Sequence, residues 1–441
     1  MNNAKLRKLL DLLGSSYWFV PTLMAGGAIA LAFGMVTLDQ RGKSGPIEQL
    51  GWIYAGGPDG ARTLLSTIAG SMITVAGTAF SIVIVALQLA SSQFGPRLLR
   101  NFMQDRGNQV VLGTFIATFI YCLLVLRTVR GHDYGIFVPQ IAVTVGILLA
   151  LTSIGVLIYF IHHASVSIQV WNVIQGVSHD LNKSIEQLFP DQIGHGISQK
   201  RRWVEEIPVG FEQEAASIVA THSGYLQAIN DEQLMKIARS QNLLLRLKYR
   251  PGQFVVENTE LAFVWPGEQA NQKLTQQIND AFVLGMQRTE DQDVEFSVQQ
   301  LVEIAVRALS PAVNDPFTAI QCIDQLTAAL CRISKRDFPS PYRYDQDNKL
   351  RVIVNPVTFA NLIDDAFSEI RIYGSSDVAV TKRLLESIAL IASQTRNQKE
   401  RAILLNHANV IKLSSQEALS QECDRNTIEE RYLAAMKVLE K

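Results

Sequence analysis

The chain has 441 residues, with 40 Lys+Arg against 41 Asp+Glu, 18% charged residues and 48% hydrophobic ones. Such averages exclude a disordered chain and a small disulfide-stapled secreted one. The balanced charge gives no case for a nucleic-acid partner. The two parts of the chain differ, however. Residues 1–162 hold 11 basic and 6 acidic residues in long apolar runs, whereas residues 163–441 hold 29 and 35.

Four stretches are uncharged for long enough to cross a bilayer, which takes about 20 apolar residues. They lie between Asp11 and Asp39, Arg62 and Arg97, Arg106 and Arg127, and Asp133 and His162. Spans are expected at about 17–38, 64–92, 108–126 and 137–161. The first follows a basic start (Lys5, Arg7, Lys8), but its 27 uncharged residues exceed the core of a signal peptide. A retained anchor is expected. Lys and Arg are distributed almost evenly over the loops. The basic tail and the cluster Arg97, Arg100 and Arg106 favour both termini, and the whole of 163–441, on the cytoplasmic side.

The second span is the informative one. Thr67, Ser71, Thr74, Thr78, Ser81, Gln88 and Ser92 recur at steps of three, four or seven, with Val85 where a step is missing. That spacing puts them on one helix face. Gly70 and Gly77 offer a close-packing face, and Gly95-Pro96 ends the helix. One reading is a water-lined path, with several copies turning these groups toward an axis and Arg97 and Arg100 at its cytoplasmic mouth. The other is helix packing, in which each hydroxyl bonds to its own helix carbonyl one turn back. Gln88 is the member that cannot hide in that way. In the other spans, Thr114 and Thr118 are expected to back-bond, and His162-His163 to sit at the interface. The glycines of 56–60 suggest turns. Cys122, Cys322, Cys331 and Cys423 form no Cys-x-x-Cys pair, which fits reduced thiols and no zinc site.

The remainder has the patterning of a water-soluble α+β region. Residues 163–202 read as a helical connector. Residues 203–267 carry short β-rich runs (217–220, 225–229, 243–249, 253–256 and 261–265) around a helix at 231–239, which suggests a small β-barrel-like module. Residues 268–441 read as an α-helical bundle. Helices are expected over 271–288, from a Ser297/Gln300 capping box to 309, after an Asn314 or Asp315 cap with Pro316, after Asn355-Pro356, and over 377–396, 399–413 and 427–439. A strand is expected at 350–354.

Two clusters stand out. Arg288, Asp291, Asp293 and Glu295 place three carboxylates at two-residue steps. They either cap and pair between helices or, less simply, form a hard-cation loop that lacks the twelve-residue calcium pattern. Arg307 and the turn Ser310-Pro311-Ala312-Val313-Asn314-Asp315-Pro316 form a rigid connection suited to subunit contact or to a ligand, with Arg307 placed to pair with Asp315 or with a carboxylate of 291–295. Catalytic signatures such as Gly-x-Ser-x-Gly, His-Glu-x-x-His and a phosphate-binding glycine loop are absent, so neither an enzyme nor a cofactor is expected.

The segment 66–105 (STIAGSMITVAGTAFSIVIVALQLASSQFGPRLLRNFMQD), together with SGYLQAIN (223–230), RTEDQDVEFSVQQLVEIAVRALSPAVNDPFTA (288–319) and CID (322–324), resembles an uncharacterised bacterial membrane-protein family, the domain of unknown function twenty-two fifty-four. The resemblance spans about residues 5–400. It implies a multi-pass inner-membrane protein with a cytoplasmic domain and implies no activity. From the residues, the expected function is a homo-oligomeric ion channel or pore lined by the second span, with the bilayer, further copies of the chain and inorganic ions as partners. A non-conducting scaffold or sensor is the alternative. A small-solute transporter comes third, because internal repeats and an intramembrane charge are missing.

Overall fold

The computed structural model describes residues 17–41, 54–95, 105–131, 136–167, 169–189, 207–395 and 397–440. The chain divides into two compact units, Met1–Asn172 and Val173–Lys441.

The first unit contains four helices long and apolar enough to cross a membrane. They are α1 (Phe19–Gln40), α2 (Pro58–Phe94), α3 (Arg106–Thr128) and α4 (Gln140–Ser167). Helix α3 is central and packs on the other three. Its Val111, Phe115, Tyr121, Cys122 and Val125 are all but fully buried. Polar groups inside this bundle find partners, as an apolar surrounding requires. The Tyr121 hydroxyl donates to the carbonyl of Ala142 at 2.9 Å. Thr114 back-bonds to Val110 as expected, at 2.8 Å. Thr118 instead meets Ser153 of α4 at 3.0 Å, because it lies on the buried side of α3. The Asp39 carboxylate accepts from the amides of Ile141 and Ala142 at 3.1 and 3.0 Å, and so caps the free amino end of α4. At the other end Asp105 caps α3 through the Gly107 amide and meets His163 of α4 at 2.6 Å.

Helix α2 begins earlier than the glycine-rich run suggests. Gly57 is its N-cap and Pro58 its first residue, so residues 58–60 are helix rather than turn. Proline suits that position because its missing amide has no intrahelical partner there. The helix ends at Phe94, with Gly95 at φ 109°, a conformation that glycine adopts without penalty. Its 37 residues span about 55 Å at 1.5 Å each, against a roughly 30 Å hydrocarbon core.

Helix α5 (Val170–Leu188), which belongs to the second unit from Val173 onward, buries Val173, Ile174, Val177, Leu181 and Ile185 along one face. A β-rich layer follows: β1 (Ala216–Val219), β2 (Gly224–Ile229), α6 (Asp231–Ser240), β3 (Leu244–Leu247), β4 (Phe254–Val255), β5 (Glu260–Trp265), α7 (Gln272–Asn279) and β6 (Phe282–Gly285). The bundle contains α8 (Val294–Ala308), α9 (Pro316–Ile333), α10 (Phe359–Gly374), α11 (Val378–Gln394), α12 (Gln398–Ala418) and α13 (Glu422–Leu439), with β7 (Tyr342–Tyr344) and β8 (Leu350–Ile353) between α9 and α10.

The β-rich layer is not a barrel. It forms a five-stranded sheet of order β1-β5-β3-β8-β7 and a three-stranded sheet of order β4-β2-β6, and among the described residues neither closes. Strand β3 pairs in parallel with β8, some hundred residues later, so the layer is not confined to 203–267. Three further expectations are corrected. The helix expected over 271–288 stops at Asn279, and Phe282–Gly285 becomes β6 because it pairs antiparallel with β2. The cap of α8 is Asp293, which accepts from the Phe296 amide at 3.1 Å, and Ser297 is fully buried inside the helix. Helix α10 starts after Thr358, not at Asn355-Pro356, because Thr358 and Asn361 form a reciprocal capping box. Asp315 caps α9 as expected, with Pro316 at its first position.

The bundle core holds Leu301, Ile323, Leu326, Phe367, Leu384 and Ile388, none more than marginally exposed. Replacing Phe367 by Ala should cost about 3–5 kcal/mol through lost burial and the cavity left behind. Tyr373→Ala on the exposed side of the same helix should stay within about 0.5 kcal/mol. Denaturation of the purified full chain compares the two.

Candidate functional site

The expected site residues fall into two polar constellations, one in each unit. The first is the stripe on α2. Thr67, Ser71, Thr74, Thr78, Ser81, Val85, Gln88 and Ser92 are all exposed on the surface of the first unit. The residues that α2 turns into its own bundle are Ala61, Leu65, Ala69, Met72, Ala76, Ala79, Val83 and Ala90. At about 100° per residue, the centres of the two sets lie roughly half a turn apart. Among the described residues the stripe therefore lies on the side of α2 away from this bundle, which is not where the packing reading would place it within one chain. The back-bonding part of that reading is present. Thr67, Thr74, Thr78 and Ser81 donate to the carbonyls of Thr63, Gly70, Thr74 and Gly77 at 2.7, 2.8, 3.0 and 2.9 Å. Ser92 reaches the carbonyl of Leu89 at 2.9 Å. Ser71 and Gln88 have no partner among the described residues. Gly70 and Gly77 flank the stripe, and a Cβ at either would meet nothing within 4 Å. The line is thus polar, small-sided and open. Arg97 and Arg100 lie outside the described residues.

The second constellation joins the β-rich layer to the bundle within the second unit. Glu295 in the first turn of α8 takes two hydrogen bonds from Arg250, at 3.1 and 2.7 Å. Asp293 is 3% exposed and is gripped by Arg288 through Nε and Nη2 at 2.8 and 2.7 Å. Arg288 also donates to Gln299 at 2.5 Å, and Gln299 donates to Asp365 of α10 at 3.4 Å. Gly252, at φ +93°, lets the turn after β3 approach; a Cβ there would lie 2.2 Å from Asp293 Oδ2. A polar cavity of about 250 Å³ opens among Arg250, Arg288, Glu295, Gln299 and Asp365.

Of the expected cluster, Arg288, Asp293 and Glu295 are brought together as cap and ion pairs, with the carboxylates turned to guanidiniums, whereas Asp291 is exposed. Arg307 meets Glu303 one turn back at 3.5 Å rather than Asp315, whose carboxylate accepts from the amide and hydroxyl of Thr318 at 3.2 and 2.6 Å. Asn314 takes φ 49° and leaves Val313 and Phe317 exposed on either side. Arg250 and Asp365 were not apparent in the sequence. The Pro251-Gly252 turn marks Arg250 locally, but Asp365 looks like any helix-surface acid until the bundle folds it against α8.

Burial pushes the Asp293 carboxyl up to about 6, against the pull of Arg288. Burial, then the negative charge of Glu295, pushes Asp365 up to about 6. A carboxyl whose pKa is raised by folding stabilises the fold most below its unfolded pKa near 4, and that contribution is lost as pH rises through 6. Asp365→Asn should therefore raise the melting temperature at pH 8 and leave it little changed at pH 4.5. A pH series of melts on both forms checks the sign. Removing Arg288, which would leave Asp293 buried without its partner, should cost about 3–5 kcal/mol. Arg246→Ala, whose partner Glu212 is largely exposed, should cost under about 1 kcal/mol.

No solved structure matches the chain. The uncharacterized protein Mb1321c of Mycobacterium bovis is 33% identical over 445 residues, covering 99% of this chain and 83% of its own length. The uncharacterized protein Rv1290c of Mycobacterium tuberculosis matches to the same extent. The family described as predicted membrane protein (DUF2254) matches residues 14–389. The quoted segments and the four apolar helices agree with that match, and the chain belongs to this family of membrane proteins.

Proposed function

We propose that the protein is a homo-oligomeric ion channel or pore of the bacterial inner membrane, lined by α2. The observation that supports it is the opposition on α2 between an alanine-rich seam that packs on the chain's own bundle and a polar stripe that is exposed among the described residues. A polar line left against acyl chains is unfavourable unless it meets water or another polar surface. Copies arranged about an axis, each turning its stripe inward, give that line water and leave the apolar flanks Ile73, Phe80 and Ile84 to neighbours and lipid. Back-bonded hydroxyls still present their oxygen lone pairs, so such a wall can replace part of a permeating ion's hydration. With both termini cytoplasmic, the second unit serves assembly and gating, and the reading involves no catalysis.

The second reading, a non-conducting scaffold or sensor, draws on the charged junction and cavity between the β-rich layer and the bundle. It keeps the oligomer and closes the axis.

Purified protein in planar bilayers under asymmetric KCl tests the first reading. Unitary current that Thr78→Leu or Ser81→Leu reduces several-fold is expected, and the reversal potential reports the preferred ion sign. Currents that neither substitution alters, or silence across voltage, pH and tension, would contradict it.

A further inference from the structure

The second unit contains another cavity, of about 320 Å³, that the conduction reading does not use. It lies past the carboxyl ends of β3 and β8, the parallel pair of the five-stranded sheet. The segments that follow both strands, 249–251 and 354–357, line it together with the end of α5, the start of α8 and β7. Loops that converge beyond the carboxyl ends of parallel strands leave a crevice that suits a ligand. The size falls in the range of small-molecule sites, and most of the lining is apolar, as in such sites.

The charges at this cavity cancel in pairs. Burial raises the Asp231 carboxyl and the positive charge of Arg343 draws it back down, so these two lining groups offset one another. Arg250 and Glu295, which also line the cavity, are joined by two hydrogen bonds. Asp293, a further lining residue, is held by Arg288. Among the described residues each of these charges thus has its opposite, and no surplus of either sign is left for a ligand. An ionised ligand would give up its water here and find every group of opposite sign already engaged. An uncharged ligand meets no such cost. The walls suit a compact body: Phe189 is fully buried and Tyr249 partly so. Asn355 lines the same cavity, and its side-chain amide has no hydrogen-bond partner among the described residues. It is free to meet one polar group.

We propose that this cavity binds a small uncharged organic molecule with a compact aromatic or apolar body and one hydroxyl or amide group. The body lies among Phe189, Tyr249 and Val357, and the polar group meets Asn355. The compensated pairs exclude the acidic and basic analogues of the same body, so specificity comes from what the site refuses as well as from what it holds. The site operates whether or not the membrane unit conducts.

Fluorine NMR on the full-length protein in a nonionic detergent tests it, with para-fluorobenzyl alcohol as probe. Para-fluorophenylacetate and para-fluorobenzylamine serve as matched anionic and cationic forms, and empty micelles as the blank for each. The alcohol is expected to broaden beyond its blank and to saturate, with the acid and the amine at least about ten-fold weaker. Val357→Trp, which fills the cavity and keeps its charges, should abolish saturation. Asp231→Asn leaves Arg343 without its opposite and should strengthen the acid several-fold. Arg343→Gln leaves Asp231 without its opposite and should strengthen the amine several-fold. Both are gains, which a misfolded variant does not give. Arg239→Gln, an exposed arginine elsewhere, should change nothing. The proposal is overturned if the alcohol behaves like its blank, if the acid or the amine binds as tightly as the alcohol, or if saturation survives Val357→Trp. The comparison of the three probes uses the unmodified protein and so does not depend on any variant folding.

Discussion

In a hydrocarbon surrounding every polar group must be satisfied within the chain or turned toward something wetter, and α2 meets that constraint in two ways at once. Its Thr and Ser hydroxyls bond to carbonyls one turn back, which removes much of their cost. Its alanines and Leu65 form a smooth seam against α3, so the polar line is left exposed on the opposite side among the described residues. If the stripe served only to pack this bundle, the two faces would coincide. Helix α3, by contrast, hides its polar groups by pairing: Thr118 with Ser153 and Tyr121 with a carbonyl. The bundle thus handles polarity differently on the helix it surrounds and on the helix it leaves open.

The second unit rests on a charged joint. Arg250 and Arg288 come from the β-rich layer and its exit, and Glu295 and Asp293 from the first turn of α8. Asp293 caps the helix, and both carboxylates complement its dipole and fix the layer to the bundle. Gly252 permits this because its backbone conformation and lack of a side chain leave room for Asp293. A hard-cation loop would need these oxygens free, and they are engaged.

Much of this was legible in the sequence where one physical rule dominates. The four spans follow from uninterrupted apolar length, and the α2 stripe from a period that the helix preserves. The strands at 224–229 and 260–265 and the Asp315-Pro316 start of α9 follow from local turn and cap chemistry. What failed depended on distant partners. Phe282–Gly285 has no local reason to leave a helix; β2 recruits it. The barrel expectation missed β8, which reaches β3 from beyond two bundle helices. Ser297 with Gln300 imitates a capping box, but Asp293 already closes the helix one turn earlier. Arg250 and Asp365 become site residues only through tertiary contact, so no spacing rule could have named them.

The central claim is that the α2 stripe faces water while its flank faces apolar neighbours or lipid. Single cysteines at Thr78 and at Phe80, in a chain whose four native cysteines are replaced, test it in membranes with a charged, bilayer-impermeant thiol reagent. Rapid modification at Thr78 with protection at Phe80 is the predicted result. Equal protection at both, or modification at Phe80 alone, would contradict the account.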